Sequence, residues 1–96
     1  MKQGKTLPID ELVELYLKET GLYQKFKERE VCNMWKEVVG QMIASRTRKV
    51  SMSNGVLFVS FTSSVVRNEI MMVKEGVIQA LNARLGECIV KDIVIS

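Results

Sequence analysis

Four cations, Arg46, Arg48, Lys49 and Arg67, flank a short stretch of alternating polar and apolar residues, with Phe58, Ser63 and Ser64 between them. Guanidinium and ammonium groups of this kind contact phosphate oxygens without reading base sequence. The backbone N–H groups at a helix start, with the hydroxyls of Ser63 and Ser64, would offer a phosphate further donors. Phe58 beside Lys49 sets an aromatic face next to a cation, an arrangement on which an unstacked base can rest. Sheet-binding RNA modules usually offer two or three such aromatics, and the same residues also describe a solvated hairpin with one exposed phenylalanine. If all four cations touched phosphates of a single strand, log K would fall against log salt with a slope of roughly −3.

Chemistry of other kinds is poorly supplied. The chain has no histidine, which removes the commonest general base, the usual partner of a Ser or Cys nucleophile and the commonest metal ligand. Its acidic residues sit at what read as solvated helix positions, and there is no Gly-rich phosphate loop. Cys32 and Cys88 are 56 positions apart and form no CxxC or CxxH pattern, so they read as reduced, partly buried thiols of a cytosolic protein. The expectation is a binding protein with no catalytic residues, no metal, no cofactor and no small-molecule substrate.

At 96 residues with 47% apolar content, the chain suits one domain with one core. A core that small leaves little room for an internal cavity, so function belongs on an exposed face. The N-terminus lacks the unbroken apolar run of a secretory signal, and no window approaches the ~20 apolar residues of a membrane span. A cytoplasmic location without membrane contact is expected. Residues 1–45 carry seven basic and seven acidic groups, whereas residues 46–96 carry seven basic against four acidic. The whole net charge of +3 therefore lies in the second half, compatible with a polyanionic partner.

The elements that must position these residues follow from periodicity. A helix starts near Pro8, with Leu12, Val13, Tyr16 and Leu17 at helical spacing and Gly21 as its stop. A second helical region spans Leu22 to Ala44, and its apolar stripe shifts phase at residues 28–31, where a bend is expected. Trp35 lies on that stripe as a core residue, Gly40 reads as a turn or close-packing position, and most of the methionines read as core filler, with Met71 off the main stripe. Val50 and Met52 then alternate with polar neighbours, Asn54-Gly55 makes a two-residue hairpin turn, and Val56 to Thr62 returns. That turn pairs Ser53 with Val56, Met52 with Leu57, Ser51 with Phe58 and Val50 with Val59. Ser63 or Ser64 caps a long helix through Leu85, ended by Gly86; Gly76 within it marks a close approach or is simply tolerated. A last strand from Cys88 to Ile95 turns its isoleucines inward and runs parallel to its neighbour. The order is helix-helix-strand-strand-helix-strand, an α+β fold whose three-stranded sheet has helices on one face and an open second face.

Four segments in this order carry a family resemblance. Trp35-Lys-Glu-Val-Val-Gly40, Asn54-Gly-Val-Leu-Phe-Val-Ser-Phe61, Ser63-Ser-Val-Val-Arg-Asn-Glu-Ile70 and Leu81-Asn-Ala-Arg-Leu-Gly86, the last followed by Val90, Ile93 and Ile95, resemble the DciA family. Its members are proposed to recruit or load the bacterial replicative helicase. The resemblance covers most of the chain and implies a KH-like domain over residues 1–96 that engages nucleic acid and that helicase. It also implies a minimal form, ending at Ser96 without the basic tail of larger members. The GxxG loop of nucleic-acid-binding KH domains does not occur here, nor do the cysteine pairs of a zinc ribbon. The resulting expectation is a non-enzymatic accessory protein of DNA replication. The alternatives are a KH-like RNA-binding or ribosome-associated module, which would prefer RNA to DNA, and a purely protein-binding adaptor acting through the Met71 region or a sheet edge.

Overall fold

A computed structural model describes residues 9–96, so the helix start expected at Pro8 lies outside the described residues. Helix α1 (Ile9–Thr20) packs against the beginning of α2 (Tyr23–Val39), and a single-turn helix α3 (Gln41–Ser45) leads into the hairpin of β1 (Thr47–Ser53) and β2 (Val56–Phe61). Helices α4 (Ser64–Met72) and α5 (Lys74–Leu85) cross back to β3 (Asp92–Ile95). The sheet order is β1-β2-β3, with β2 antiparallel to β1 and parallel to β3. This is the expected α+β arrangement, a mixed three-stranded sheet with its helices on one face.

The hairpin forms in the register its turn dictates. Ser53 pairs with Val56, Met52 with Leu57, Ser51 with Phe58 and Val50 with Val59. Asn54 and Gly55 both take positive φ, 51° and 83°, as a type I′ turn requires. A Cβ on Gly55 would also stand 3.1 Å from the Lys91 side chain. One face of the sheet, through Leu57, Val59, Phe61 and Ile93, joins Val31 and Trp35 of α2, Ile70 of α4 and Val77, Ile78 and Leu81 of α5 in the core. Leu81 is completely buried, and burial of such a side chain contributes about 1.5–3 kcal/mol. Ile93 points inward and Val94 outward, as the isoleucine-inward reading of the last strand requires.

Several boundaries differ from the sequence reading. Helix α2 runs through residues 28–31 without a break and ends at Gly40, whose φ of 94° and ψ of 166° form a conformation open essentially to glycine alone. The apparent phase shift arises because Leu22 and Phe26 remain outside the core, while Glu28 occupies the inward position ahead of Val31 and Trp35. Glu28 is buried, contrary to the solvated position expected of it: its carboxylate accepts the Gly55 N–H at 2.8 Å and the Gln24 amide at 2.9 Å. It thereby fastens the hairpin turn to α2.

The long helix expected over residues 64–85 is two helices, broken at Val73. Helix α4 lies against β2 and α5 against α2 and β3, and one straight helix could not follow both surfaces. Val73 is therefore exposed although it continues the apolar stripe. Gly76 has no atom near its missing Cβ, so no close approach explains it. The last strand starts only at Asp92, because Asn82 binds the preceding segment: its Oδ1 accepts the Ile89 and Val90 N–H groups at 3.0 and 2.8 Å, and its Nδ2 donates to the Val90 carbonyl at 2.9 Å. Met42 and Met72 are exposed rather than core filler, and Met71, off the main stripe, is exposed too. Cys32 is half-buried, whereas Cys88 is exposed, and both thiols are free.

Candidate nucleic-acid interface

The open face of the sheet is built by the residues alternating with the core set: Lys49 and Ser51 on β1, Phe58 and Ser60 on β2, and Val94 on β3. Lys49, Ser51, Phe58, Val59, Ser60 and Ser96 line one shallow depression of about 150 Å³. Phe58 is 41% exposed, so part of its ring is available beside the Lys49 stem. Ser51 and Val94 are its cross-strand neighbours.

Arg48 is exposed at a feature not foreseen from the sequence. The register shifts between Thr47 and Lys49, leaving Arg48 as the extra residue of a β-bulge. Thr47 stays on the core side, where its hydroxyl accepts the Trp35 indole N–H at 3.1 Å and donates to the Ile43 carbonyl at 2.8 Å. Val50 is again on the core side. The bulge thus places two consecutive cations, Arg48 and Lys49, opposite a single partner residue and away from the core. Trp35, packed at 6.4 Å from Phe61, is a core residue as expected, and its indole fixes where β1 begins.

Arg46 is exposed at the end of α3, and its carbonyl accepts the Thr62 N–H at 2.8 Å. That bond joins the entry of β1 to the residue just before Ser63. Ser63 is the N-cap of α4, its hydroxyl accepting from Val66 N–H at 3.4 Å, so this oxygen already serves the helix. Ser64 and Arg67 are exposed in the first turns of α4. Both belong to α4 in the helical layer, so the structure brings Lys49 and Phe58 into one depression, and neither Ser64 nor Arg67 lines it. Among the described residues none of Arg46, Arg48, Lys49 and Arg67 takes part in an ion pair.

A larger depression of about 640 Å³ lies between α2 and the free edge of β1. Val50, Met52 and Cys32 contribute apolar surface to it, and Lys25 and Arg29 stand on its α2 side. Neither cation was singled out in the sequence, because nothing local to α2 shows that it runs beside β1. Burial pushes the Cys32 thiol above its ordinary pKa, and the Glu28 carboxylate adds to the shift. No group of three or more potential metal ligands occurs among the described residues, and none of their helices is long and apolar enough to cross a membrane.

The family described as "Dna[CI] antecedent, DciA" matches residues 8–95. The chain is also 27% identical, over 89 residues, to a UPF0232 protein of Rhodococcus jostii (strain RHA1). That alignment covers 93% of this chain and 47% of the relative, so the chain spans about half the length of the curated relative it matches. With nearly its whole length matched, the chain belongs to the DciA family.

Proposed function

We propose that this DciA-family chain is a non-enzymatic accessory protein of DNA replication, which holds nucleic acid at the basic end of its sheet while it engages the replicative helicase. It works as one KH-like unit in the cytoplasm and hydrolyses no nucleotide itself. The observation that carries the nucleic-acid part is the shared depression of Lys49 and Phe58, with the exposed Arg48 next to Lys49 in the chain at the register shift. A single strand laid there would stack a base on Phe58 while its phosphates meet Lys49, Arg48 and Arg46, and the start of α4 with Arg67 would receive the next phosphate. The helicase part rests on membership of the family.

Size-exclusion chromatography of the chain with the replicative helicase of its own source, at moderate salt, tests this reading. A stable complex is expected, together with single-stranded DNA binding that RNA of the same sequence does not outcompete. Elution of the chain alone would sink direct helicase engagement. RNA winning the competition would replace the DNA reading with an RNA-binding one.

A further inference from the structure

Strand β1 is an edge of the sheet. Backbone groups in an antiparallel pair point alternately toward the partner strand and away from it. Val59 turns its carbonyl to the far side of β2, where it accepts the Ser96 N–H at 3.0 Å. Val50, which faces Val59, therefore turns its own N–H and C=O away from the hairpin, and Met52, two residues on, does the same. Among the described residues no strand pairs with that edge, and no backbone group outside the hairpin bonds to Val50 or Met52. Unpaired donors and acceptors in such a row are a template for another strand. The edge is open as well, because the depression of about 640 Å³ beside it is lined by the half-buried Val50, Met52 and Cys32.

The helix that walls this depression is sorted by charge. Lys25, Arg29, Cys32 and Lys36 recur at i, i+4, i+7 and i+11 and so share one stripe of α2. Its three cations are exposed and enter no ion pair among the described residues, and Lys25 and Arg29 line the depression. Glu30 and Glu37 lie on the other flank, paired with Lys27 at 3.5 Å and with Arg84 at 3.0 Å. The one carboxylate in the lining, Glu28, is buried and already accepts from Gly55 and Gln24.

We infer that the free edge of β1 takes an added strand, an extended acidic segment of a protein partner hydrogen-bonded to the backbone of Val50 and Met52. Alternate side chains of that segment are small and apolar where they enter the depression beside Val50, Met52 and Cys32. The others are Asp or Glu, which Lys25 and Arg29 attract. The seven residues of β1 give an edge of about 23 Å, long enough for a heptapeptide. A nucleic-acid strand suits the cations but not the edge, because phosphates accept and cannot donate, which leaves the Val50 and Met52 carbonyls unmet. A second copy of this chain is a poor occupant. Pairing β1 with β1 would gather Arg48, Lys49 and the α2 stripe of both copies, with no acidic residue on either strand, and like charge disfavours such a partner. The inference goes beyond the proposed bridging function and does not rest on it, since the edge is distinct from the open face that holds Lys49 and Phe58.

The probe is a capped Glu-Val-Glu-Val-Glu-Val-Glu peptide, titrated into the isotope-labelled full chain and followed by amide NMR shifts and hydrogen exchange. One control peptide has every amide N-methylated, which keeps the side chains and charge but donates no hydrogen bond. A second has lysine in place of each glutamate. Saturable shifts are expected at Val50 and Met52, with hydrogen exchange of both amides slowed about tenfold or more. Binding should be about tenfold weaker or worse for the Lys25→Glu/Arg29→Glu variant, and neither control peptide should saturate the wild-type chain. Equal binding of the N-methylated or the lysine peptide, no saturation by the probe, or shifts centred elsewhere would overturn the inference. Exchange at Val50 and Met52 that slows instead on adding single-stranded DNA, or on raising the protein concentration without peptide, would give the edge to nucleic acid or to a second copy and overturn it equally. Should the double variant fail to give a folded amide spectrum, the two control peptides on the wild-type chain decide the matter.

Discussion

Replacing Arg46, Arg48 and Lys49 together by Ala isolates the electrostatic part of the proposed interface. With Arg67 these residues supply four cations that are exposed and unpaired among the described residues. Four phosphate contacts on a single strand give a log K against log salt slope of about −2.8, at roughly 0.7 per contact. Between 50 and 200 mM salt that slope corresponds to a loss of ~50-fold in affinity. The triple variant keeps only Arg67, so its slope should fall to about −0.7 and its loss over the same range to ~3-fold. The fold should not notice the change. Arg46 holds Thr62 through its backbone carbonyl, at 2.8 Å, which Ala retains, and surface substitutions of this kind stay within about 0.5 kcal/mol. Fluorescence anisotropy of a labelled oligodeoxythymidine across a salt series reads both slopes, and thermal unfolding checks the fold. A triple variant with the wild-type slope would refute the placement of the phosphates, and a flat response of the wild type would remove the electrostatic account altogether.

Three further outcomes follow from individual contacts. Glu28→Ala leaves the buried Gly55 N–H without its acceptor, a loss of about 2 kcal/mol that should lower Tm by roughly 10 °C in thermal unfolding; Glu28→Gln, which keeps an oxygen there, should recover most of it. Phe58→Ala should weaken single-strand binding by about 1–3 kcal/mol without altering the salt slope, because stacking releases no counterions; a changed slope would show that the residue acts through its cationic neighbours. Cys88 should react with a maleimide well before Cys32 near neutral pH, since Cys88 is exposed and burial holds the Cys32 thiol above its ordinary pKa. Raising the pH should narrow the gap as Cys32 ionises, which mass spectrometry of single-cysteine variants would follow.

What was legible in the sequence was local. Asn54-Gly55 and the alternation around it specify both the turn and the register, because a period of two leaves one arrangement with the apolar pairs on one face. Lys49 and Phe58 could be placed on the open face for the same reason. What was not legible depends on bonds between distant residues. Glu28 looks like any helical carboxylate until Gly55, 27 positions away, is brought to it. Asn82 delays the start of β3 by bonding its neighbours' backbone, and the bulge at Arg48 follows from where Trp35 holds Thr47. Val73 continues an apolar stripe and so conceals the helix break that the layout of α4 and α5 imposes. The apolar period of α1 was plain, but periodicity says only that a face wants covering, and no described part of the chain covers it fully.

The bridging claim is tested most directly by one chromatographic comparison. The full chain, the replicative helicase and a labelled single strand are run together, first with the wild-type chain and then with the Arg46→Ala/Arg48→Ala/Lys49→Ala variant. The account predicts that the wild-type chain carries label into the helicase peak beyond what helicase alone retains, and that the triple variant co-elutes with helicase but loses that added label. Label retention by the triple variant equal to that of the wild type, or a helicase peak free of the wild-type chain, would contradict it.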